Sequence, residues 1–167
     1  MPPSIDSLEL PPFRPRFPWW GADLQTIAVL LGAKAVDLAP HTSERLCFPM
    51  ADRTGDILLG MLDQPAEPVV GRPLVILLHG LTGDETSPYV VKAARHLLDR
   101  GYAVLRLNMR GAGPSRPYCK EHYHVGRTAD FRRVLAQIPD DLMQNGVVAV
   151  GYLLGGCLLY TSPSPRD

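Results

Sequence analysis

Cysteine is scarce in this chain and net charge is absent. The three cysteines, Cys47, Cys119 and Cys157, lie far apart, and none forms a C-x-x-C pair. An odd number so spaced argues against a disulfide framework and a zinc knuckle, and suits a reducing, cytoplasmic compartment. Seventeen basic residues balance seventeen acidic ones and are scattered along the chain, so no electrostatic footprint for nucleic acid stands out. The N-terminus lacks a basic region followed by an apolar core, and no signal peptide is expected. The longest mainly apolar stretch, Gly21 to Leu38, is interrupted by Asp23, Gln25 and Lys34, which makes a poor membrane span. Peripheral membrane contact and oligomeric state stay open. His122 and His124 have no carboxylate or third histidine at a useful spacing, so a metal site is not expected.

What the chain does have is Gly146-Val-Val-Ala-Val-Gly-Tyr-Leu-Leu-Gly-Gly156, an apolar run breaking into a glycine-flanked turn. The layout is that of a nucleophile elbow, G-x-S-x-G, in which a strand turns sharply into a helix and presents one side chain at the tip. Gly151 and Gly155 stand two residues either side of that tip, where side chains would collide with neighbouring backbone. The tip itself is Leu153. Leucine has no atom that can attack a carbonyl.

The rest of the chain reads as a scaffold around that turn. Residues 1–20 contain six prolines and end in Trp19-Trp20, which predicts an extended arm. Asp23 to Ala35 reads as a short helix. Arg45–Met50 and Asp56–Leu62 flank a turn-forming cluster, predicting a β-hairpin with Pro49 on an edge strand. Pro73–Leu78 is a continuous apolar run, as expected of a strand covered on both faces. Ser87 is placed to cap a helix that begins at Pro88, buries Val90, Val91, Ala94, Leu97 and Leu98, and closes at Gly101. Tyr102–Met109 is the next strand, a helix with Phe131, Val134, Leu135 and Ile138 on one face starts near Thr128, and Val147–Val150 is the third buried strand. A hairpin followed by strand–helix–strand–helix–strand predicts an α/β fold with a mostly parallel sheet and flanking helices.

His79-Gly-Leu-Thr-Gly83 follows the first buried strand. Glycines such as Gly80 and Gly83 let backbone approach closely and leave N–H donors free for an oxyanion. The donors expected are the N–H groups of Leu81 and of Leu154, which follows the elbow tip. His79 reads as a structural hydrogen-bonder rather than a general base, because it would crowd those donors. Arg110-Gly-Ala-Gly-Pro-Ser115 does not have dinucleotide-loop spacing and reads as a turn beside the site mouth.

Asp23-Leu-Gln-Thr-Ile27, His79–Gly83 with Ser87-Pro-Tyr89, Arg110–Gly113, Tyr123-His124 and Gly151–Gly156 together resemble the YheT-like α/β-hydrolases, carboxylesterases and lipases, over roughly residues 13–156. The resemblance implies the N-terminal half of that fold, a small-molecule or lipid acyl ester as substrate, no cofactor, and a Ser–Asp–His triad with serine at position 153. It places the acid and base after three further strands, beyond this chain. Cys157–Asp167 resembles a translated sequencing adapter, which divides the chain into an arm (1–20), a partial hydrolase domain (21–156) and a non-native tail (157–167).

Two readings of Leu153 stand at this point. A serine codon becomes a leucine codon by one base change, close to the apparent junction; or the leucine is genuine and the chain is a non-catalytic binding relative. Either way the chain as written is expected to be inactive.

Overall fold

Strand propensity and burial set the centre of the molecule. The computed structural model describes residues 35–161 continuously, preceded by 14, 15, 17, 18, 20, 21 and 23–25. The chain divides into two units, Met1–Lys34 and Ala35–Asp167. In the first, Asp23–Gln25 are helical and the Phe17 and Trp20 rings meet edge-on at 5.1 Å. Most of the proline-rich arm, and the remainder of the helix expected up to Lys34, lie outside the described residues. Ala35, the last residue of that expected helix, is not helical.

The second unit holds one five-stranded sheet. β1 (Thr42–Pro49) and β2 (Ile57–Gln64) form the hairpin, antiparallel with Pro49 opposite Ile57. β3 (Leu74–Leu78), β4 (Val104–Leu107) and β5 (Val147–Gly151) are parallel, and the order across the sheet is β1-β2-β4-β3-β5. β1 is an edge strand, where the prolyl nitrogen of Pro49 costs no sheet hydrogen bond. β3 is central and all five of its residues are buried, which is why it reads as an unbroken apolar run.

Helices cover both faces. α1 (Pro88–Leu98) lays Val90, Ala94 and Leu98 on Val75, Leu77 and Val104. α2 (Thr128–Leu135) and the residue Ile138 beyond it close the opposite face, with Phe131 and Val134 against Leu58, Leu78 and Leu107. α3 (Asp140–Met143) is a single turn before β5, and α4 (Leu154–Tyr160) follows it. A 3₁₀ helix, Gly113–Tyr118, occupies the segment read as a simple turn.

One local expectation resolves differently. Ser87 stands at the N-cap of α1, but its hydroxyl makes no cap bond to the helix. It accepts the Asp84 N–H at 3.0 Å instead, while the Ser87 carbonyl takes the Val90 N–H that a cap side chain would otherwise serve. The helix after the elbow runs through position 157, and Leu158 is 4% exposed within the main core. Residues 162–167 lie outside the described residues.

Candidate active site

β3 and β5 are adjacent and parallel, with Leu78 opposite Gly151. The loops leaving their C-terminal ends must therefore meet, as in open α/β sheets generally. One loop is His79–Gly83; the other is the turn at Tyr152–Leu154.

The strand-to-helix turn is tight enough to exclude β-carbons. A Cβ on Gly155 would stand 2.8 Å from the carbonyl oxygens of both Leu78 and His79, and one on Gly151 would overlap the Gly155 carbonyl. Tyr152 donates its N–H to Leu78 O at 3.0 Å, and Gly155 closes back on Tyr152 O at 2.9 Å. Between them Leu153 has φ 49° and ψ −112°. That is a strained conformation for a side-chain-bearing residue, and such strain concentrates at functional sites. Leu153 is 79% exposed, so packing does not explain its conformation.

The facing loop is fixed from several directions. His79 is fully buried. Its Nε2 lies 3.1 Å from the Met109 N–H and must accept, so Nδ1 carries the proton and donates to Gly80 O at 2.8 Å. Burial pushes the imidazole below its ordinary value, keeping it neutral and unsuited to act as a base here. Gly80 donates its N–H to the Tyr89 hydroxyl at 2.8 Å, Thr82 donates to the Tyr123 hydroxyl at 2.9 Å, and Gly83 donates to Gly80 O at 3.1 Å. Among the described residues, neither Leu81 N–H nor Leu154 N–H has a partner. The two loops touch: a Cβ on Gly80 would be 3.1 Å from Leu153 Cδ1 and 3.3 Å from Tyr152 O. The structure thus brings together Leu81, Leu153, Leu154 and the four glycines Gly80, Gly83, Gly151 and Gly155.

Behind the loop is a buried ionic scaffold. Glu85, 3% exposed, takes Arg45 in a two-pronged bond of 2.5 and 2.6 Å and the Asn108 amide at 2.6 Å. Arg106 pairs with buried Asp63 and donates to Glu85 O. Arg110 pairs with Asp130, Asp56 and Asp52. The Asp130 bonds hold the guanidinium above its ordinary value despite burial, with the Asp56 and Asp52 bonds adding to the effect. A cleft of about 470 Å³ opens beside it, lined by Asp52, His124, Arg127 and Arg133 among others, but Leu81, Leu153 and Leu154 do not line it.

Sequence reasoning gave no role to Tyr89, Tyr123, Glu85 or Arg106. The partners of these side chains lie up to 43 residues away, and no local spacing encodes such pairings. The two tyrosines carried one signal only, their place within the motifs that resemble the YheT-like group.

The chain is 29% identical over 136 residues to the esterase-named protein YheT of Escherichia coli (strain K12), covering 81% of this chain and 38% of that protein. It is 31% identical over 91 residues to medium-chain fatty acid ethyl ester synthase/esterase 2 of Saccharomyces cerevisiae, covering 54% and 20%. The chain thus spans well under half the length of these relatives. Among solved structures, the Pyrococcus furiosus esterase Pf2001 superposes with a TM-score of 0.59 at 20% identity, over 73% of this chain and 46% of that one. Est1E of Butyrivibrio proteoclasticus with ferulic acid bound gives 0.53 at 28% identity, over 65% and 43%. Residues 73–161, more than half of the chain, match the family described as alpha/beta hydrolase fold, and the chain belongs to that family.

Proposed function

We propose that this chain is the oxyanion-forming half of a cytoplasmic serine esterase of the carboxylesterase or lipase type, catalytically incomplete as it stands. The reading is supported chiefly by one observation: Leu153 is held at φ 49°, ψ −112° on a turn that approaches Gly80, the residue before Leu81, whose N–H has no partner among the described residues. In the parent enzyme a serine hydroxyl at 153 attacks the carbonyl carbon of an acyl ester. A histidine held by an aspartate, both supplied from further along the parent chain, takes the hydroxyl proton and hands it to the leaving alcohol. Leu81 and Leu154 N–H groups stabilise the tetrahedral oxyanion between those two steps. The substrate is a small-molecule or lipid acyl ester, and the chemistry needs no cofactor. With leucine at 153, loss of the nucleophile alone costs on the order of 10⁶ in kcat in comparable triads.

Leu153 itself favours a second reading, a non-catalytic binding protein that keeps the hydrolase frame. Sequencing the locus across codon 153 and beyond codon 156, then treating the encoded protein with a fluorophosphonate probe, separates the two. Serine at 153 with covalent labelling supports the esterase. Leucine at 153, with a complete downstream half and no labelling, supports the binding protein and rejects the esterase.

A further inference from the structure

The residues from Gly80 to Gly83 offer four successive N–H donors, and three are taken. Gly80 and Thr82 give theirs to tyrosine hydroxyls and Gly83 gives its own to a backbone carbonyl. Leu81, between the two tyrosine-held amides, is the one left open among the described residues. The two acceptors come from different places: Tyr89 from the first turn of α1, Tyr123 from the loop between the 3₁₀ helix and α2.

Both hydroxyls are themselves fixed. The Tyr123 ring stands edge-on to His79 at 5.7 Å, and His79 is locked by hydrogen bonds at both ring nitrogens. The Tyr89 ring packs at 4.9 Å on Tyr152, the residue before the elbow tip. Its hydroxyl reaches Gly80 only because Gly83 has no side chain; a Cβ there would lie 2.5 Å from that oxygen. Thr82 sits at φ 59°, a left-handed conformation that side-chain-bearing residues adopt at a cost. A loop so strained needs outside acceptors to keep its peptide planes from rotating, and the buried Gly80 needs a partner for its amide in any case.

We propose that Tyr89 and Tyr123 are positioning residues for the oxyanion turn. By accepting the N–H groups on either side of Leu81, they aim the Leu81 amide at the space beside residue 153 and deny it a competing fold-back. This assignment rests on the esterase reading above. A donor displaced by about 1 Å loses on the order of 10²-fold in rate, so the loss of one hydroxyl should register in turnover without weakening substrate binding.

The test uses the 167-residue chain with Tyr89→Phe and Tyr123→Phe, which remove the acceptor and keep the ring. Amide hydrogen exchange followed by NMR should show Thr82 exchanging at least about tenfold faster in Tyr123→Phe and Gly80 likewise in Tyr89→Phe, with β3 amides unchanged as the control for folding. Without a triad, hydrolysis of p-nitrophenyl butyrate above the buffer rate reports on the donors and on binding, on the order of 10³-fold over water. Each variant should lower that kcat about tenfold and leave KM within about twofold. Unchanged exchange at both amides overturns the proposal, and so does faster exchange with kcat unaltered, since the tyrosines are then structural only. If the 167-residue chain gives no turnover above buffer, as its missing nucleophile allows, the exchange data alone decide whether the tyrosines hold the turn, and the esterase reading stands or falls separately on the fluorophosphonate labelling.

Discussion

Arg110 grips Asp130 with two parallel bonds, Nε to Oδ2 at 2.8 Å and Nη2 to Oδ1 at 2.7 Å. The same guanidinium reaches Asp56 and Asp52 on the hairpin turn, so one buried cation joins the turn between β1 and β2 to α2. Its 1% exposure and the 1% of Asp56 mean that removing the cation strands at least one carboxylate in a dry site. Arg110→Met should destabilise the fold by about 3 kcal/mol or more, read as a fall in the urea midpoint. A shift near zero would show that the cluster relaxes into solvent.

Leu153 contributes strain and little burial. Leu153→Gly should therefore raise stability by about 1 kcal/mol, because glycine adopts the positive φ without penalty. A thermal melt of the two proteins decides it. A lower Tm for the glycine variant would mean that the leucine side chain packs on the Gly80 turn strongly enough to offset the backbone cost.

Gly155→Ala tests close approach. Its β-carbon would press on two carbonyl oxygens at 2.8 Å, and the expected cost is about 2 kcal/mol or more. Gly146→Ala serves as the contrast: Gly146 has φ +87° with nothing within 4 Å of an added β-carbon, so only the backbone penalty of about 1 kcal/mol applies. Equal losses in the two variants would refute the crowding described at the turn.

How much of this was readable beforehand depends on how local each signal is. β3 was legible because burial on both faces demands an unbroken apolar run, and the elbow because its glycines sit at a fixed spacing around one residue. α1 was legible from Pro88 and the stripe Val90, Ala94, Leu98, although the hydroxyl of Ser87 turned back to the loop. The Glu85–Arg45–Asn108 and Arg106–Asp63 pairings were not, since residues so far apart in the chain meet only once the sheet has assembled. The 3₁₀ helix at Gly113–Tyr118 was read as a turn because it contains two prolines and spans a short stretch.

Acid should unfold the protein in two stages. Burial depresses His79 below its ordinary 6.5, so unfolding takes up a proton once the pH drops below that value. Its contribution is complete above 6.5 and is lost as the pH falls toward the folded value. The carboxylates act lower. The Thr54 hydroxyl first, then the Thr54 N–H and Arg110, pull Asp52 down to about 2 against the cost of burial. Burial of Asp56 is outweighed by the Lys120 N–H, Arg110 and the Glu121 N–H. Stability from these groups is complete above 3.8 and disappears as the pH falls through their folded values, for Asp52 between 3.8 and about 2. Urea midpoints from pH 8 to pH 3 should fall first below 6.5 and again below 4, and His79→Gln should flatten the upper stage alone. An unaltered upper stage in that variant would assign it to another group.

β5 lies at the end of the sheet order, with Val148 46% and Val150 37% exposed. Apolar side chains beside an unpaired strand edge favour self-association. The chain should self-associate increasingly as its concentration is raised, and Val148→Lys should weaken that tendency, measured by light scattering and sedimentation. A monodisperse, cooperatively melting parent chain would contradict the expectation.

The pairing of Leu74 with Val147 has a kinetic corollary. Strands so distant along the chain zip together only after a long loop has closed, and closure of that kind is paid in entropy before any contact repays it. The turn after β3 waits for Tyr89 and Tyr123 to supply its acceptors, and its counterpart beside residue 153 waits for β5 to dock. The loops that follow β3 and β5 therefore come into register late, which makes their meeting a sign that this sheet has finished folding.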